Sequence, residues 1–200
     1  ILGLSVLVIR KKPSLRGVID AISRSFSGYW GFLFAILAIC GTTLLIALVA
    51  PPNGWDGMTY HMSRVAHWSQ NQTIRHYETN ITRQLYLAPF SEYVILQFQL
   101  LTDGDRFANL AQWIGMIGSL VTVYLLANAL GADAFGRVAA VVCAVTIPMG
   151  ILQATSIQTD YMVSLWLAIF VFFMLLSFKD PTLWKSGRMG VALGLAVLTK

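Results

Sequence analysis

The sequence predicts an all-α fold: a polytopic transmembrane helix bundle with an outer loop of amphipathic interfacial helices. Three observations carry this reading. Only 12% of the 200 residues are charged, whereas 56% are hydrophobic, which is about half the charge of a typical soluble domain. The mean hydropathy is +0.67, and charge-free apolar stretches reach the ~20 residues that a bilayer crossing needs. Basic residues concentrate in alternate connections, the pattern of a chain that crosses a membrane repeatedly.

Taken in order, "ILGLSVLVI" (1–9) reads as the tail of an earlier span. The basic cluster Arg10–Lys12 follows it rather than preceding it, which is the wrong order for a signal peptide. Residues 30–50 supply 21 positions without a charge. The next spans are expected at 107–132, 138–159 and 161–178, and a last partial one over 189–200. The chain is thus read as one transmembrane domain, 1–200, cut from a longer protein, with four complete spans and a partial one at each end. Residues 51–106 form the long outer loop.

With residues 10–29 placed in the cytoplasm, the inner connections hold nine basic residues: Arg10, Lys11, Lys12, Arg16, Arg24, Arg137, Lys179, Lys185 and Arg188. The outer segments hold four: Arg64, Arg75, Arg83 and Arg106. This bias places Asp56 and Asp160 on the same, extracytoplasmic side of a multi-pass protein of the cell membrane. The formal charge of +5 is therefore distributed by membrane side and does not point to a nucleic acid. Cys40 and Cys143, both in apolar runs, read as small packing residues.

A 56-residue connection without low-complexity sequence is too long for a simple link and reads as an ordered cap. Within it, at about 100° per residue, Asp56, Tyr60, Arg64, His67 and Asn71 fall on one stripe, and Trp55, Met58, Met62, Val65 and Ala66 on the other. Such a helix can lie at the interface with its polar face toward a cavity. "SEYVILQFQLL" (91–101), after Pro89, reads as a second outer helix. The plain alternative is a polar face that meets only water. Asp160, at the mouth of the next outward junction, has a plain alternative too, since an acid in the first turn favours the helix dipole. Ionisable groups at such depth are costly and often functional. Arginines nearby suit an anionic headgroup, or simply snorkel to lipid. His61, His67 and His76 lack zinc spacing. A divalent metal on Asp56, Asp160 and His67 is the only metal arrangement the residues suggest, and a weak one. Asn71 and Asn80 begin sequons, too common by chance to argue from.

The acid after an apolar span, the long outer loop, "TSIQTDYMVSLWLAIFVFF" and "GVALGLAVLTK" together resemble the GT-C membrane glycosyltransferases. The likeness is to glycosyltransferase family 39, which includes protein O-mannosyltransferases and lipid A aminoarabinose transferases. It runs from about Trp30 to Lys200 and rests on the order of Asp56, Thr159-Asp160 and Leu198-Thr199-Lys200. The resemblance implies transfer of a sugar from a polyprenyl-phosphate-linked donor to a lipid, glycan or protein acceptor at the extracytoplasmic face. It implies Asp56 as catalytic base, Asp160 as a second acid of the same cavity, and Lys200 near the donor phosphate. Charge and position add Arg64 and Arg83 to the phosphate-binding set, and the stripe adds Tyr60 and His67 to the substrate cavity. Many relatives have two adjacent acids in the first loop; here Asp56 precedes Gly57, which weakens a metal role. The alternative is a transporter or flippase of a lipid-linked or anionic substrate, with Pro148 breaking a helix. A scaffold with a protein-docking cap is a third reading.

Overall fold

The structure, a computed structural model, describes residues 28–200 together with Asp20 and Arg24. The partial span expected at 1–9 and the basic cluster Arg10–Lys12 lie outside the described residues. Among those residues the fold is all α-helical, without strands. The helices are α1 (Trp30–Val49), α2 (Met62–Asn71), α3 (Arg83–Tyr86), α4 (Phe90–Thr102), α5 (Leu110–Ala129), α6 (Ala134–Val145), α7 (Pro148–Gln153), α8 (Asp160–Lys179) and α9 (Leu183–Thr199). A π-helical turn, Gly57–His61, runs directly into α2.

Three helices, α1, α5 and α8, are each 20 residues long and apolar enough to cross a membrane, and they mark the chain as a membrane protein. At 1.5 Å per residue each spans roughly 30 Å, the thickness of the hydrocarbon layer. α1 is apolar on all sides. Its buried positions Ile36, Cys40, Thr43 and Ala47 make one stripe at four- and three-residue steps. That stripe faces α5 and α6, while Phe34, Leu37 and Leu45 stay exposed, as they can where lipid is the solvent.

The expected span over 138–159 is not one helix. α6 has 12 residues and ends at Val145, and a new short helix starts at Pro148. Proline has no amide hydrogen to donate and disfavours helical geometry in the residue before it; Ile147 is accordingly extended, at φ −60° and ψ 115°. The chain still returns to the end of the bundle it left, because Asp160 lies across a cavity from Asp56. The last helix, α9, begins at Leu183, six residues before the expected start at Met189.

α8 packs on α5 and α9, and α5 on α6. Small residues on α5 permit the α5–α8 approach: a Cβ at Gly115 would come within 2.9 Å of the Tyr161 backbone, and one at Gly118 within 2.8 Å of Leu165. Association in lipid relies on such close packing, since apolar burial offers little drive there. Polar side chains on these helices bond within the fold. Ser119 and Thr122 donate to the carbonyls four residues back. The Trp113 indole donates to the Cys40 carbonyl at 3.1 Å, and Asn109 donates to Ala50 at 2.9 Å, tying the start of α5 to α1.

Gly115→Ala should therefore overpack the α5–α8 contact and cost about 1–3 kcal/mol. Gly194→Ala, where an added Cβ meets nothing, should be neutral or slightly stabilising. Thermal unfolding of the purified full-length protein in detergent compares the two; equal midpoints would show that Gly115 is not a close contact.

Candidate functional site

The cap formed by residues 51–109 rests on a buried charge cluster. Arg64, from α2, is 1% exposed and Glu92, from α4, 0%. The Arg64 guanidinium donates to Glu92 Oε1 (3.2 Å), to the Gln84 carbonyl (2.7 Å) and to the Arg83 carbonyl (3.0 Å), and stands 5.7 Å over the Trp68 ring. His61 Nδ1 lies 2.8 Å from the same Glu92 oxygen. Gln84 extends the network: its amide donates to the Thr59 carbonyl at 2.8 Å, and its oxygen accepts from the Tyr77 hydroxyl at 3.1 Å. One arginine and one glutamine thus hold α2, the 77–84 segment and α4 together. Behind them Met62, Val65, Ile95, Ala108, Ala111 and Ile157 form an apolar core.

The expected stripe from Asp56 to Asn71 is broken by the π turn. Each π turn takes one residue more than an α turn, which shifts the phase of everything after it by about 100°. Asp56 and Tyr60 keep a common direction and both line the cavity, but Arg64 turns inward to Glu92. The expected apolar face divides likewise: Trp55 and Met58 are 83% and 52% exposed, whereas Met62 and Val65 are in the core. Arg64 is therefore not free to hold a phosphate: all the donors just named are bonded within the cap. His67 does not line the cavity either; its ring stacks on Tyr77 at 4.0 Å.

A cavity of about 70 Å3 opens between the cap and the ends of α8 and α9. Asp56, Tyr60 and His61 line it from the cap, Leu87 and Ala88 from the α3–α4 connection, Thr159 and Asp160 from the start of α8, and Thr199 and Lys200 from the end of α9. Asp56 and Asp160, far apart in the chain, thus face one hollow. Lys200 Nζ donates to Asp160 Oδ1 at 2.5 Å. Arg83 Nη1 approaches Asp56 Oδ1 to 3.9 Å, with both side chains substantially exposed, a distance that leaves either group able to turn to a ligand. Burial pushes the Tyr60 phenol above its ordinary range; the Asp56 charge and a hydrogen bond to Asp56 add to this, and Arg83 opposes it. The phenol is therefore protonated at neutral pH and shares the cavity wall with Asp56.

Asp160 is positioned by Gln112, which is fully buried on α5. Its Oε1 accepts from the backbone N–H groups of Tyr161 and Met162, at 3.0 and 3.2 Å. These are among the donors that a helix start leaves without intrahelical partners. With that service coming from Gln112, the Asp160 carboxylate is available to Lys200.

Gly57 sits against Ile157, and a Cβ at position 57 would overlap that side chain. A second acid beside Asp56 has no room without moving Ile157. Among the described residues no three His, Cys, Asp or Glu side chains are placed to hold a metal ion, and the expected set of Asp56, Asp160 and His67 does not assemble. Glu92 and His61 were missing from the expected site residues. The available signal was an acid in an otherwise apolar helix, "SEYVILQFQLL", because an acid so placed is buried only with a partner. Comparison with family models, curated proteins and solved structures finds no significant match for the chain.

Glu92→Gln should leave the Arg64 charge buried without its counterion and cost roughly 3–5 kcal/mol. Limited proteolysis of the 72–82 loop and thermal unfolding of the full-length protein both read this out. Asp56→Asn, at a part-exposed position, should leave both unchanged. Equal behaviour of the two variants would refute a structural role for the Arg64–Glu92 pair.

Proposed function

We propose that this protein is a membrane glycosyltransferase of the GT-C type, moving a sugar from a polyprenyl-phosphate-linked donor to an acceptor hydroxyl at the extracytoplasmic face. The observation that carries the reading is the meeting of Asp56, Asp160 and Lys200 at one cavity beside the ends of membrane helices. A lipid-linked donor can stay in its bilayer there while its sugar reaches a water-side acceptor. The chemistry needs a base and a cationic stabiliser at one place. The acceptor oxygen attacks the anomeric carbon, the bond from that carbon to the phosphate oxygen breaks, and the bonding electrons leave with the lipid phosphate. Asp56 takes the hydroxyl proton, within the ordinary scope of a carboxylate base. Tyr60 orients Asp56. Lys200 and Arg83 stabilise the charge that gathers on the leaving phosphate, and Asp160 holds Lys200 in place.

The break at Ile147–Pro148 supports a second reading, a transporter or flippase of a lipid-linked or anionic substrate, since interrupted helices line transport sites. The position of the two acids favours the first reading: Asp56 and Asp160 face one hollow at one end of the bundle, and α1 and α5 carry no charge along their length.

Membranes containing the full-length protein should transfer sugar from a polyprenyl-phosphate donor. Asp56→Asn should lower the rate by about 10²–10⁴-fold and Lys200→Met by about 10²–10³-fold, with protein levels unchanged. Undiminished transfer by Asp56→Asn would remove that residue from the mechanism. Movement of the lipid-linked sugar across the membrane without a new glycosidic bond would decide for the transporter.

A further inference from the structure

The cap contains a second, larger cavity of about 210 Å3. By the space one water needs, it holds on the order of ten or more waters, room for a sugar ring. It adjoins the first: Leu87 and Ala88 line both.

The two cavities differ in charge. The first is lined by two carboxylates and a lysine; no Asp or Glu lines the second, whose basic side chains are Arg64, Arg75 and His76. Glu92 neutralises Arg64. Arg75 and His76 are exposed, and among the described residues neither side chain has a partner. Four aromatic side chains, Trp68, Tyr77, Tyr86 and Tyr93, stand in the remaining walls. Trp68 stacks on Tyr93 at 5.2 Å and 26°, and Tyr77 is fixed by its stack on His67 and its bond to Gln84. Rings held in this way need little further ordering when a ligand arrives. Tyr and Trp offer a broad apolar face with a polar edge, which suits a pyranose, with C–H groups on its faces and hydroxyls at its rim. An unpaired arginine beside such a face selects a carboxylate or phosphate substituent.

We propose that this second cavity is the acceptor subsite and that it takes an acidic saccharide unit, a uronic acid or a sugar phosphate. The proposal rests on the glycosyltransferase reading for the word acceptor. The binding itself rests only on the cavity. A saccharide seated there lies next to the cavity of Asp56, from which Leu87 and Ala88 divide it.

The test is titration of the full-length protein, held in phosphatidylcholine discs, with a tetrasaccharide alternating glucuronate and N-acetylglucosamine, with glucose 6-phosphate, and with neutral chitotetraose and glucose. At least one acidic ligand should bind about ten-fold or more tightly than its neutral counterpart, the size of one charge-assisted contact. Arg75→Ala combined with His76→Ala should erase that difference. Tyr86→Ala, at a 68% exposed position of the same wall, should weaken acidic and neutral ligands together. Equal affinity for acidic and neutral ligands, binding unchanged in the variants, or no binding of either acidic ligand would overturn the proposal. So would loss of acidic-ligand binding when phosphatidylglycerol enters the discs, because the cations would then serve lipid headgroups. Asp56→Asn should keep this binding while losing transfer. Binding with no transfer by the wild type would sink the enzymatic reading and leave the saccharide site standing.

Discussion

The buried pairing of Arg64 with Glu92 is the constraint on which the rest of the cap depends. A charge with no counterion at that depth would be severely destabilising, so wherever α2 and α4 pack, these two side chains must meet. The pairing fixes more than two helices. Arg64 also binds the carbonyls of Arg83 and Gln84, so the long connection between α2 and α4 is held where Arg83 can approach Asp56 and where Leu87 and Ala88 wall the cavity. His61, bonded to the same carboxylate, anchors the π turn that aims Asp56. The part-exposed charges that the cap contributes, Asp56 and Arg83, are placed by a fully buried pair beneath them.

The membrane part obeys a different economy. Apolar surface is not excluded by lipid, so α1 can leave most of its side chains exposed and α8 most of its side chains only half-buried. Their positions are set by close approach and by a few polar contacts: Gly115 and Gly118 against α8, Trp113 to the Cys40 carbonyl, Gln112 to the first amides of α8. Gln112 matters most for the site. It closes the hydrogen-bond deficit at the start of α8, and so fixes the helix end on which Asp160 stands.

The helical class and the three long spans were legible because hydropathy reports solvent, and lipid is a solvent with a sharp thickness. The interruption near residue 147 was legible only as the proline that causes it; an apolar, charge-free run looks the same whether one helix or two carry it. The common cavity of Asp56 and Asp160 was anticipated from charge bias and helix ends. The fates of Arg64 and His67 were not. A period of 3.6 residues assumes an unbroken α-helix, and nothing in "GMTYH" announces the extra residue of a π turn. Nor does a one-dimensional pattern show that Glu92, 28 residues later, is waiting for Arg64.

The cavity between cap and bundle draws its walls from positions 56–61, 87–88, 158–160 and 199–200. In a chain inserted from the N-terminus, these arrive in that order, and large chains fold in sequence as they are made. Asp160 therefore emerges ahead of its lysine, which lies 40 residues further along the chain. The pairing of the two side chains waits on the placement of α9. The pocket is thus the last feature of this region to be completed, since four separate stretches of chain must be in place before it closes.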